Sequence, residues 1–176
     1  SGREISMDPR VSPSAAGAPI DIEEMAAFIA SVQKENGEIP WSPGGKTDPW
    51  DHVESAMGLS TAGRIGDAER AYAWMAAAQL DDGSWWSSVR DGLPEDRTRE
   101  ANFSSYVAVG VFHHYLVTGD RNFLGRLWPT VSGGIDFAVS LQARAGEIYW
   151  AKNADGAVDR MALLTGSSSV FMSLRC

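Results

Sequence analysis

The sequence contains a single cysteine, Cys176, so no disulfide can form within the chain. A reducing, cytoplasmic setting is the simplest match to that count. No apolar run approaches the roughly 20 residues of a membrane span, and the N-terminus lacks the apolar core of a signal peptide. Basic side chains are also scarce: 15 Lys and Arg stand against 23 Asp and Glu, a net charge of −8. Nucleic acids and anionic membranes both require a basic face, so neither is expected as a partner. No stretch alternates convincingly as a β-strand does. Pro43-Gly44-Gly45-Lys46 lacks the spacing of a phosphate-binding loop and the strand that precedes one. No Gly-x-Ser-x-Gly nucleophile elbow is present.

What remains is an ordinary globular composition, 44% hydrophobic over 176 residues, enough for one domain or a piece of a larger one. Residues 1–20 read as a tag remnant, with Met7 a plausible native start, followed by a loose N-terminal arm rich in Pro, Ser, Ala and Gly. Residues 21–176 carry the periodic patterns. Tryptophan stands out at seven residues, several beside Gly and Asp in apparent loops, where a flat ring can wall a binding site.

Three segments repeat a pattern of Gln, three residues, Gly and then Trp: Gln33, Gly37 and Trp41; Gln79, Gly83, Trp85 and Trp86; Gln142, Gly146 and Trp150. Each follows an amphipathic helical pattern. Ile22, Met25, Ala26, Ile29 and Val32 recur at helical spacing before the first, Ala71, Trp74, Met75 and Ala78 before the second, and Val131, Ile135, Ala138 and Leu141 before the third. Pro129 suits the first turn of that third helix. The glycine can take the left-handed conformation that ends a helix, and the Trp can fold back on it. A second helix follows each turn. Asp48-Pro49-Trp50-Asp51 has the cap, the N1 proline and the first-turn acid of a helix start. Asn102 can cap Phe103–Leu116, and Thr165-Gly166-Ser167 can introduce Ser168–Cys176. These second helices carry small and apolar residues such as Ala56, Leu59, Val107, Gly110 and Val111, which suits an inner ring, while the more charged first helices suit an outer one. The expected fold is all-α, an α/α toroid of helical hairpins. Three hairpins make about half of a six-hairpin ring. The rest of a longer chain, or pairing of two copies, would cover the open side.

The Gln-x3-Gly-x-Trp turns resemble those of terpenoid cyclase and prenyltransferase toroids. Thr118-Gly119-Asp120, Phe123-Leu124, Trp128-Pro129 and Asp136-Phe137 resemble the segment that introduces an outer helix in six-hairpin glycosidases. The two families share an architecture, which does not settle chemistry. The Asp-x-Asp-Asp and Asp-Asp-x-x-Asp motifs of terpenoid enzymes are missing, since Asp81-Asp82 runs into Gly83-Ser84-Trp85. More narrowly, Gly45-Lys46-Thr47-Asp48-Pro49-Trp50-Asp51-His52-Val53-Glu54 resembles an actinobacterial family labelled prenyltransferase-like that contains methylmannose polysaccharide hydrolases. That resemblance implies a glycoside hydrolase, endo-α-mannosidase-like, cleaving within a methylmannose polysaccharide. A terpenoid or prenyl-handling toroid and a non-catalytic carbohydrate-binding module remain the alternatives.

Glycoside hydrolysis needs two carboxyl groups flanking the scissile bond. Asp48, Asp51, His52 and Ser55 fall on one helical stripe, which on an inner helix would face a cavity. Asp48 and Asp51 are the candidate catalytic carboxylates; their plain structural role would be capping the helix and supporting its dipole. The candidate substrate-binding residues are Trp41, Trp50, His52, Trp85, Trp86, Asn102 and Tyr106, with core packing the alternative for the tryptophans. The second catalytic carboxylate could lie outside this chain. No second His sits at ligand spacing from His52, so no metal is expected, and no cofactor.

Overall fold

The computed structural model describes residues 21–176; the reading of residues 1–20 as remnant and arm lies outside the described residues. The described residues form seven helices: α1 (Ile22–Val32), α2 (Pro49–Thr61), α3 (Ile65–Ala78), α4 (Ala101–Ser105), α5 (Val107–Thr118), α6 (Arg121–Ser140) and α7 (Leu164–Arg175). Their starts follow from local chemistry. Asp21 accepts from the Glu24 amide at the head of α1, and Asp120 accepts from the amides of Asn122 and Phe123 at the head of α6. Gly119, left-handed at φ 70°, ends α5.

The helices form two layers. In the inner layer α2 packs on α5, and α4 and α5 pack on α7. In the outer layer α1 lies against α2, α3 against α2, and α6 against α4 and α5. The arc thus contains three outer–inner hairpins. The main core, filled by Val53, Leu59, Tyr72, Met75, Val107 and Phe123, lies between the layers. Tyr72 donates its hydroxyl to the Gly110 carbonyl at 2.9 Å. A Cβ on Gly110 would fall 2.4 Å from Val53, so the glycine allows α5 to press against α2.

Three sequence expectations change. First, Pro129 lies inside α6, not at its start. Asp120 caps that helix nine residues earlier, and the proline simply leaves one helical hydrogen bond unmade. Second, two inner helices start earlier than expected: α4 begins at Ala101 with Glu100 at the cap position, so Asn102 sits in its first turn and the helix is interrupted at Tyr106, and α7 begins at Leu164, so Thr165, Gly166 and Ser167 lie inside it. Third, the loops contain short strands. β1 (Ser88–Arg90) and β2 (Leu93–Asp96) form an antiparallel hairpin about Asp91 and Gly92, both at positive φ. Aspartate before glycine is the favoured chemistry for such a tight turn. β3 (Arg99–Glu100) pairs with β4 (Ala151–Lys152), which pairs with β5 (Val158–Asp159).

These strands gather the loops at one end of the arc. Thr47, just ahead of α2, exchanges backbone hydrogen bonds with Val89 of β1, at 2.9 Å each way. Arg99 and Glu100, just ahead of α4, pair with the loop that leads into α7. The segments preceding all three inner helices are therefore tied to one another. No described helix is long and apolar enough to cross a membrane.

Candidate active site

The N-termini of α2, α4 and α7 converge on an open cleft of about 360 Å³. Trp41, Asp48, Trp50 and Asp51 line it from the first hairpin, Asn102 and Phe103 from the second, and Thr165, Gly166 and Ser169 from the third.

Asp48 organises the first wall. One carboxyl oxygen accepts from the Asp51 amide at 2.9 Å, the N-cap bond of α2. The other accepts from the Trp41 indole N–H at 2.6 Å. Asp48 is only 5% exposed, whereas Trp41 is 56% exposed and carries the Lys46 ammonium over its ring at 4.2 Å. Buried Glu38 steadies the loop between them by accepting from the Thr47 hydroxyl at 2.7 Å and from Lys34 at 3.1 Å.

Asp51 lies one turn into α2. Burial, then the negative charges of Asp48 and Glu54 and a hydrogen bond with Asp48, push its carboxyl above the usual aspartate range, against a smaller opposing pull from Lys46. A carboxyl that keeps its proton longer than normal, beside a second carboxylate, is the arrangement that separates an acid from a base. A third acid belongs to the same group. One oxygen of Glu54 accepts from the Trp50 indole at 3.0 Å and from the Tyr106 hydroxyl at 3.1 Å. Trp50 stacks on Tyr106 with centroids 3.7 Å apart and planes 8° from parallel. Burial and Glu54 push the Tyr106 hydroxyl up to about 12. Glu100, at the head of α4, accepts from the Ser87 hydroxyl at 3.0 Å and is raised by burial.

The structure brings Asp48, Asp51, Trp41, Trp50 and Asn102 to one cleft, with Tyr106 behind Trp50. It withdraws three other candidates. His52 is buried: its Nδ1 accepts from the Ile39 amide at 3.1 Å, and its Nε2 donates to the Ala71 carbonyl at 2.9 Å. Its ring therefore splints α2 to its neighbours, makes no hydrogen bond to the Asp48 carboxylate and does not line the cleft. Trp85 is in the core at 3% exposure, donating to the Met75 carbonyl at 2.8 Å. Trp86 lines a different groove, with Trp74 and Asp91, and faces the guanidinium groups of Arg97 and Arg99. The predicted polar stripe splits accordingly, because one helix face cannot serve both the outer layer and the cleft.

Sequence reasoning missed Ser169 and Glu54 as site residues. Ser169 stands in the second turn of α7, an inner helix whose N-terminus faces the cleft as that of α2 does, so position was the available signal. Glu54 stands four residues after Trp50, a helical neighbour able to receive its indole N–H. Among the described residues no three His, Cys, Asp or Glu side chains are grouped to hold a metal ion.

No family model matches the chain. It is 46% identical over 158 residues to the MMP endo-(1,4)-3-O-methyl-alpha-D-mannosidase of Mycolicibacterium hassiacum, an alignment covering 90% of this chain and 44% of that protein. Among solved structures it is similar to the cellobiose 2-epimerase of Bacillus thermoamylovorans, with TM-score 0.62 and 17% identity over 88% of this chain and 46% of that one. It is also similar to the cellobiose 2-epimerase of Spirochaeta thermophila, with TM-score 0.59 and 16% identity over 88% and 50%. The chain spans half or less of the length of each of these relatives. Three outer–inner hairpins in a two-layered arc, matched in structure to half of each epimerase, give this chain the α/α-toroid fold.

Proposed function

We propose that the chain carries part of the active site of an endo-acting glycoside hydrolase that cleaves internal α-linkages of a methylmannose polysaccharide. The observation that carries this reading is the pairing of Asp51, held above its usual protonation range, with Asp48 in a cleft floored by inner-helix N-termini. The 46% identity to a 3-O-methyl-mannosidase supports the choice of sugar.

In this reading Asp51 is the proton donor to the leaving glycosidic oxygen, the role that a raised carboxyl suits. Asp48, held in orientation by the Trp41 indole and the Asp51 amide, keeps Asp51 protonated and positioned through the hydrogen bond between them, and the carboxylate that faces Asp51 across the scissile bond comes from another part of the toroid. Trp41 offers its exposed ring as a platform for a sugar face, which is less polar where O-methyl groups replace hydroxyls. Glu54 tunes Asp51 by like charge and fixes the Trp50–Tyr106 stack. The single cysteine supports a reducing, cytoplasmic setting.

The test is a hydrolysis screen of the full-length natural protein against methylmannose polysaccharide, unmethylated α-mannan and α-glucan, with products read by mass spectrometry. Shorter methylmannose oligosaccharides that disappear in Asp51→Asn and Asp48→Asn support the assignment. Cleavage that survives both substitutions removes these residues from the chemistry. A folded protein that cleaves none of the three glycans overturns the enzyme reading.

A further inference from the structure

The three Gln-x3-Gly turns have one internal geometry but different surroundings. In each, the glutamine amide nitrogen donates to the carbonyl of the glycine four residues on, at 3.1 Å for Gln33, 2.9 Å for Gln79 and 3.0 Å for Gln142. The glycines are all at positive φ, 95° at Gly37, 85° at Gly83 and 109° at Gly146. In the first two turns the same nitrogen also donates to the next outer helix, Gln33 to the Asp67 carbonyl and Gln79 to the Thr130 carbonyl, each at 2.9 Å. The glycine then lies against the carbonyl three residues further along that helix. A Cβ would fall 2.2 Å from Arg70 O at Gly37 and 2.2 Å from Gly133 O at Gly83. Each turn is therefore a socket for a helix backbone, reading two carbonyls one turn apart.

The third socket has no helix in it. The Gln142 side chain makes no second hydrogen bond among the described residues, and nothing lies within 4 Å of where a Gly146 Cβ would stand. Gln142 and Gly146 are exposed, whereas Gln33 and Gln79 are half-buried and Gly37 and Gly83 buried.

The received helices share a register. The accepted carbonyl stands twelve residues ahead of the glutamine that closes the same helix, Asp67 before Gln79 and Thr130 before Gln142. Four residues after that carbonyl comes a small residue, Ala71 or Gly134, where the outer helix meets an inner one. Ala71 O receives His52, and a Cβ on Gly134 would fall 2.2 Å from Ser104 O. The first outer helix does not satisfy this rule. Its equivalent position is Met25, 59% exposed, so α1 of a second copy is a poor fit to the third socket.

We infer that the turn Gln142–Gly146 is a docking socket for one further outer-type helix, supplied by polypeptide beyond this structure and carrying Ala or Gly four residues after the carbonyl that Gln142 reads. The relatives, each at least about twice the length spanned by this chain, leave ample polypeptide for such a helix. The inference does not depend on the glycosidase reading.

The test uses a peptide of the α3 sequence, residues 65–79, which carries the register. It is held helical by a hydrocarbon staple replacing the exposed Ala73 and Ala77. The ¹⁵N-labelled chain is titrated with it, and the side-chain amide of Gln142 and the backbone amide of Gly146 are followed by NMR. The expected result is a saturable shift of both. An Ala71→Leu peptide should bind at least tenfold more weakly, as should the unmodified peptide to a Gln142→Ala chain, read at Gly146. No shift at millimolar peptide overturns the inference. So does an equal response to the Ala71→Leu peptide or to a stapled α1 peptide of residues 21–34. Movement of the Gln142 amide on concentrating the chain alone also overturns it, because a second copy would then be the occupant.

Discussion

The indole N–H of Trp41 donates to Asp48 at 2.6 Å, joining the exposed aromatic wall of the cleft to the carboxylate that caps α2. In the proposed glycosidase, one bond thus couples the placement of the sugar platform to the orientation of a carboxyl group. Trp41→Phe, which keeps the ring and deletes the donor, should lower kcat about tenfold with little change in KM, the pattern of a lost orienting bond. Trp41→Ala should raise KM as well. Steady-state hydrolysis of methylmannose polysaccharide by the full-length protein separates the two.

Asp51→Asn should reduce turnover by about 10²- to 10⁴-fold, the usual worth of a positioned acid or base. Its stability effect should have the opposite sign. A carboxyl raised in the folded state binds its proton more tightly there than when unfolded. The folded state therefore loses stability as pH rises from the unfolded value near 3.8 through the raised one. Asparagine does not titrate, so the variant should melt higher than the parent at pH 7 and converge with it in acid. Calorimetry at pH 3.5, 5 and 7 checks this.

Burial pulls His52 down to about 4 in the folded state, against 6.5 for a solvent-exposed imidazole. Burial lowers His114 also. For a depressed base the unfolded state binds more protons between the two values. Stability is therefore full above about pH 6.5 and is lost as pH falls toward 4, by about 3 kcal/mol for His52 alone. His52→Gln should be less stable at pH 7 yet show a flatter decline between pH 6.5 and 4, measured by urea unfolding.

Gly83→Ala should destabilise the chain by about 3 kcal/mol or more, since the new Cβ would meet the Gly133 carbonyl as well as an unfavourable φ. Gly146→Ala should lose only about 1 kcal/mol, from φ alone, because its surroundings are open. Chemical unfolding of the two variants side by side gives the comparison.

Trp85→Ala should lose about 3–5 kcal/mol through a cavity in the core. Whatever fraction remains folded should cleave normally, which distinguishes it from Trp41→Ala.

Much of this arrangement was legible in the residues. The helical periods ending at Gln33, Gln79 and Gln142 marked the outer helices, and Asp48-Pro49 marked the head of α2, because caps and amphipathic faces are local properties. The short strands were not, since β3 is made by partners some fifty residues away in β4. The β1–β2 turn did carry a local sign, Asp91-Gly92. At the site, a helical wheel placed Asp48 and Asp51 together correctly. It could not tell that His52, one residue on, turns toward α3, because that depends on which neighbour packs on which side. Trp85 and Trp86 likewise differ by one position, and only tertiary packing sends one into the core and leaves the other at the edge of a groove.

The cleft takes one wall from each of three hairpins, so its width is not the property of any single loop. It is set by the angular step between successive hairpins, and the seam between α2 and α5 at Gly110 and Val53 governs one such step. Substitutions there, remote from every cleft-lining side chain, would act as a spacing adjustment. Divergent members of this architecture could in that way come to accept bulkier or more heavily methylated chains while the residues facing the substrate stay the same.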